Sequence, residues 1–176
     1  MKLKTGAAFL LMAVMLIAAL CIGAWKGWRG EAELAMERRA ALEQMLEIRA
    51  ECAHNVLVVA KRHLPDTDAR VQAVEAAWRA LSGDNTLSDK ARAHAALTQD
   101  AKSLLEGLAA LESVQQDPRD RMYAENYLPQ MLLESQSSGA AESYHQAAVE
   151  FNQGLAGSFS GMLARLFGMQ PMELFQ

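Results

Sequence analysis

Between residues 31 and 64 the chain has no glycine and no proline, and apolar side chains return at Leu34, Ala41, Met45, Ile48, Cys52, Val56 and Val59. Steps of three, four and seven residues are the repeat of an amphipathic helix, so this stretch predicts one long helix that Pro65 ends. Asp66 to Asp68 then supply a turn and an N-terminal cap. The next helix carries Val71, Val74, Trp78 and Leu81 and stops at the SGDN turn, residues 82–85. Ser88 and Asp89 restart it, and Leu97, Ala101, Leu104, Leu108 and Leu111 form the following stripe. After Gln116, Asp117 and Pro118, a last long helix is expected to reach about Gly154. Its inner face reads Tyr123, Tyr127, Met131, Ala141, Tyr144, Ala148 and Phe151. Pro129 should kink it or mark a local restart, and residues 135–139 form a second soft spot. Helices joined by short turns lie antiparallel and bury their stripes against one another. The tail from Gly161, GMLARLFGMQPMELFQ, is too apolar to stay in water and should dock on the bundle or on lipid.

Ahead of these helices, residues 5–25 are uncharged, flanked by Lys2 and Lys4 on one side and by Lys26 and Arg29 on the other. Twenty or so apolar residues cross a hydrocarbon core, so Phe9, Leu10, Leu11, Val14, Leu16, Ile17 and Leu20 are assigned to a membrane anchor, with Trp25 in the interfacial belt. A cleaved signal peptide is the competing reading. The apolar run exceeds the usual length for one, however, and no small-x-small site precedes Trp25. Leu20 ahead of Cys21 likewise argues against a lipoprotein signal. Arg38 and Arg39 favour a cytoplasmic side for the rest of the chain, but the basic residues nearest the ends balance, so the side stays open. The expected fold is therefore all-α: an N-terminal transmembrane helix (residues 1–30), a long-helix antiparallel three- or four-helix bundle (31–160) and the apolar tail (161–176). The expected location is a cell membrane crossed once.

Composition sharpens this reading. Apolar residues make up 51 % of the 176, with 10 Met against 4 Pro, a palette of packed helices. A net charge of −4, with both signs mixed along the helices, leaves no basic stripe for nucleic acid, and no such partner is expected. Cys21 and Cys52 give no disulfide framework. No Gly-x-Ser-x-Gly elbow, His-Glu-x-x-His or P-loop is present. Of the remaining histidines, His63 and His94 read as solvated surface.

Two Glu-x-x-His pairs carry the sharpest chemical alternative. Glu51 with His54 and Glu142 with His145 each place a carboxylate and an imidazole on one helix face, as in di-metal carboxylate bundles, with Glu75, Glu106 or Glu112 as further ligands. The pairs fall on the first and last bundle helices rather than the second and fourth, which weakens a ferritin-like site. No cofactor is assigned. Asn55 stands in seven-residue register with Leu34, Ala41 and Ile48, so it is expected to enter the helix interface and bond Asn126, Gln130 or Asn152.

The order of features resembles the LemA family. Residues 49–59, RAECAHNVLVV, match its first-helix patch at Arg49, Asn55 and Leu57, and depart from it at Ala53 and at His54, where that family favours proline. Pro118 followed by Glu125, Asn126 and Tyr127 is similar to its Pro then Glu-Asn-Phe. Tyr144, Phe151 and Asn152 resemble its later aromatic-Asn pairs, and LARLFGMQPMELF at residues 163–175 is the most specific match. The resemblance implies a membrane-anchored antiparallel bundle, in a family whose molecular function is generally unassigned; with no catalytic motif in the chain, the expected role is a non-enzymatic scaffold or interaction module at the bacterial cell envelope. The resemblance lends no catalytic residue, and it places no ligand at His54 or His145. An unidentified protein or a second copy would be the partner, met through the face with Arg38, Arg39, Arg49, Lys61 and Arg62 or through the tail.

Overall fold

Proline and capping side chains set most helix ends in the computed structural model, which describes residues 2–136 and 139–176 and is entirely helical and coil among them. Helix α1 is Lys2–His63, closed by Pro65, with Lys61, Arg62 and His63 in its last turn, where cations suit the helix dipole. Asp68 caps α2 (Ala69–Ser82) by accepting from the Arg70 amide, as its position predicts. Helix α3 (Leu87–Ala109) starts one residue earlier than expected. Thr86 is its cap: its Oγ1 accepts from the Asp89 amide at 3.1 Å and its hydroxyl donates to Asp89 Oδ2 at 2.7 Å, a pairing the Ser88 reading missed.

The expected last long helix is in fact several pieces. After α4 (Glu112–Gln116), Asp117 caps α5 (Pro118–Met122), with Pro118 in its first turn. A π-helical turn, Tyr123–Tyr127, then leads into α6 (Leu128–Gln136). Its wide i→i+5 bond runs from the Leu128 amide to the Tyr123 carbonyl, just ahead of Pro129, which has no amide to continue a regular ladder. Gly139, at φ +64°, precedes α7 (Ala140–Gly157), and Ser158 caps α8 (Phe159–Leu166).

The chain divides into two compact units. Helices α1 and α7 each contribute to both, so these bounds follow contacts rather than the segments 1–30, 31–160 and 161–176. One unit holds Arg39–His145 and Leu174–Gln176. Its core takes Leu42, Met45, Leu46, Ala53, Val56 and Ala60 from α1, Val71 and Val74 from α2, and Leu97, Leu104 and Leu108 from α3. Leu128 and Leu132 of the π-turn and α6 segment are buried with Ala124. This is an all-α helical bundle.

Of the stripe expected on α1, Met45, Cys52, Val56 and Val59 are buried, but the seven-residue set that carries Asn55 is displaced by one residue from the buried one. Leu34, Ala41 and Ile48 are exposed, whereas Ala35, Leu42, Arg49 and Val56 are buried. Both sets repeat every seven residues, and only one can face inward. Tyr127, expected inside, is exposed as well.

The other unit holds α1 up to Arg38 and Gln146–Glu173. Phe151, Leu155 and Ala164 form its core, with Trp28, Ala32, Met169 and Met172 packed on it. Upstream of this core, every residue of α1 from Gly6 to Leu20 is exposed, including Phe9, Leu10, Leu11, Val14, Leu16, Ile17 and Leu20; Trp25 is half-buried. This helix is long and apolar enough to cross a membrane.

Candidate functional site

The register shift on α1 puts a cation where a leucine would ordinarily sit. Arg49 is 0 % exposed, and its guanidinium reaches two other helices. One terminal nitrogen donates to the Leu132 carbonyl and the Ser135 hydroxyl of α6, both at 3.2 Å. The other donates to the His94 carbonyl at 3.1 Å and to Thr98 Oγ1 at 2.8 Å, both on α3. Every one of these acceptors is neutral, and Nε is buried without a hydrogen-bond partner. Burial lowers the Arg49 pKa, and the neighbouring Cys52 acts in the opposite sense. Arg49 therefore ties α1, α3 and α6 together while remaining a desolvated charge with no counter-ion among the described residues. This corrects the expectation that Arg49 belongs to an outward basic face.

The same layer shifts its neighbours. Burial first, and the Arg49 charge second, push His94 down to about 4, and its ring meets Phe175 edge-on at 5.9 Å between centroids. His94 is thus half-buried rather than solvated. Burial also raises the Cys52 thiol, which donates to the Met131 carbonyl at 3.8 Å and stays a packed, protonated group. Two of Arg49's acceptors, Thr98 and Leu132, also line a groove of about 490 Å³ whose walls include Leu105, Ala124, Pro129 and Leu133.

A second polar cluster lies at the C-terminal end of α1. Asp120, 2 % exposed, accepts from Arg62 at 2.7 Å through Oδ1 and meets His63 Nε2 at 2.9 Å through Oδ2. His63 Nδ1 stands 3.1 Å from the Ser113 hydroxyl. His63 was read as solvated surface, yet its side chain is 9 % exposed. The order hydroxyl, imidazole, carboxylate is that of a nucleophilic triad, but here Arg62 takes the second carboxylate oxygen. The cluster thereby clamps the end of α1 to α4 and α5. Lys61, also placed on the basic face, pairs with Asp66 and Glu75.

The residues singled out from sequence fall as follows. Asn55 is half-buried and makes no side-chain hydrogen bond among the described residues, because the register shift turns it to the edge of the core. Asn126 is exposed in the π-turn, and Gln130 bonds Glu134 on its own helix. Asn152 does hold structure: its amide donates to the Met172 carbonyl at 2.8 Å and accepts from the Met172 amide at 2.7 Å. Glu51, His54 and Glu142 are exposed, and the His54 ring leans on Trp78 at 5.4 Å. His145 is half-buried with Nδ1 unpartnered. No group of three or more His, Cys, Asp or Glu gathers at a metal-binding distance among the described residues, so the two Glu-x-x-His pairs are not assembled into one site.

No family model, no curated protein and no solved structure matches the chain. The class is defined by the fold itself: an all-α helical bundle with a long apolar N-terminal helix.

Proposed function

We propose that this chain is a single-pass membrane protein of LemA type, a helical bundle anchored through its N-terminal helix that works as a non-enzymatic scaffold or protein-interaction module at a bacterial cell envelope. The observation that carries the reading is the uninterrupted exposure of α1 from Gly6 to Leu20, an apolar surface of the length and composition that lipid covers. At 1.5 Å per residue, the uncharged run of residues 5–25 rises about 32 Å, the thickness of a hydrocarbon core.

The LemA reading rests on the sequence resemblance, and two of its motif residues hold structure. Arg49 joins three helices, and Asn152 clasps the tail at Met172. The non-enzymatic reading is supported by how the polar groups are used. Arg49 spends its donors on helix carbonyls and hydroxyls, and Asp120 spends both oxygens on the clamp. In-cell crosslinking of the full chain followed by mass spectrometry tests the role. A recurrent protein partner or a second copy of the chain is expected, and recovery of the uncrosslinked monomer alone would contradict it.

A further inference from the structure

Helix α8 is amphipathic in an inverted sense. Its small residues point inward: Gly161 and Ala164 are buried, and a Cβ on Gly161 would stand 2.5 Å from the Leu155 carbonyl oxygen. Its large apolar residues point outward. Phe159 is 69 % exposed, Met162 54 % and Leu166 77 %, and Phe167 just beyond the helix is exposed too. Positions 159, 162, 163 and 166 share one helical face, so four neighbouring residues build a single apolar ridge. A soluble domain would turn that ridge inward and leave the glycine outside.

Its place along α1 explains the inversion. The Ser160 hydroxyl accepts from Trp28 Nε1 at 3.3 Å, and Ser160 lines a recess with Gly23, Ala24, Gly27, Trp28 and Glu31. The start of α8 therefore lies beside the stretch where the exposed apolar run of α1 gives way to Trp25, Lys26, Trp28 and Arg29. In that stretch the Arg29 guanidinium sits over the Trp25 ring at 5.4 Å. Aromatic rings and basic side chains at the end of a span mark the headgroup layer. Arg165 on α8 is a further exposed cation.

We propose that α8 is a second lipid contact: an interfacial helix whose ridge of Phe159, Met162, Leu163 and Leu166 lies in the headgroup–acyl boundary beside the emerging anchor. The occupant of this face is the bilayer itself. The start of α8 lies against the stretch where the apolar run of α1 ends, and Lys26 and Arg29 there suit anionic headgroups. The proposal rests on the anchored reading of α1, and its test separates the two.

The full chain is placed one copy per disc in nanodiscs of phosphatidylcholine and phosphatidylglycerol, and methionine oxidation by a charged, water-confined oxidant is followed by mass spectrometry. Met162, Met36 and Met122 are comparably exposed in the protein, at 54 %, 53 % and 45 %. Met12 and Met15 report the anchor. Burial of the ridge in lipid predicts that Met162 oxidises roughly ten-fold more slowly than Met36 and Met122, alongside protected Met12 and Met15. Protection of Met12 and Met15 with Met162 reacting at the rate of Met122 overturns the α8 proposal and leaves the anchor standing. Met12 and Met15 reacting as fast as Met122 overturns both. Because each disc holds one copy, protection by a second copy of the chain does not arise.

Discussion

Arg49 is the residue on which the bundle's specificity turns. A buried cation without a counter-ion is costly, and the four hydrogen bonds from its fork to α3 and α6 offset that cost while fixing the positions of three helices. Arg49→Ala should destabilise the protein by about 2–4 kcal/mol, through a cavity and stranded acceptors. Arg49→Met, which keeps the volume and discards the charge, should recover part of that loss. Arg49→Lys, which keeps the charge without the fork, should not. Denaturant unfolding followed by helical circular dichroism gives the order, and an Arg49→Ala protein within about 0.5 kcal/mol of the parent would refute the role. His94 adds a pH term. Its folded value of about 4 lies below its ordinary 6.5, so the folded state binds fewer protons between those values than the unfolded state does. The stability this group contributes is complete above about pH 6.5 and falls by about 1–3 kcal/mol as the pH drops towards 4. His94→Gln should flatten that slope in unfolding curves recorded across the window, and an unchanged slope would show that other groups carry it.

At the scale of elements, helix existence was legible in the apolar spacing, and the cap at Asp68 and the breaks at Pro65 and Pro118 followed from local chemistry. The inward face of α1 was legible in part: Met45, Cys52, Val56 and Val59 are buried as the spacing predicts, but the set in register with Asn55 is not. The sets Leu34, Ala41, Ile48, Asn55 and Ala35, Leu42, Arg49, Val56 repeat alike, and a rule that keeps arginine outside selects the wrong one. Nor was the clamp legible, because His63 and Asp120 are 57 residues apart and meet only through the fold. The π-turn escaped notice because it differs from a kink only in where one amide bonds. The docking of α8 depends on a close backbone approach at Gly161. Gly161→Ala should push α8 off Leu155 and speed tryptic cleavage after Arg165 several-fold, while Gly157→Ala, with nothing within 4 Å, should leave the rate unchanged. Equal cleavage in the two variants would mean that the glycine is not what seats the helix.

For the molecule as a whole, each unit buries a core of its own. The longest exposed apolar runs are the surface of α1 from Gly6 to Leu20 and the ridge of α8. The net charge of −4 gives the chain as a whole no long-range pull towards anionic lipid, and the local cations Lys26, Arg29 and Arg165 are few, so membrane attachment has to come mainly from burial of that apolar surface and should resist salt. The metal alternative remains testable at this scale. Unfolding curves with and without a chelator should superimpose, and a loss of stability on chelation would restore the Glu-x-x-His pairs to consideration. The most direct test of the account is alkaline carbonate extraction of membranes from cells making the full chain, with intact-mass measurement of the product. The account predicts a protein that stays in the membrane pellet with residues 5–25 still attached. A carbonate-soluble protein, or a mature chain that begins beyond Trp25, would contradict it.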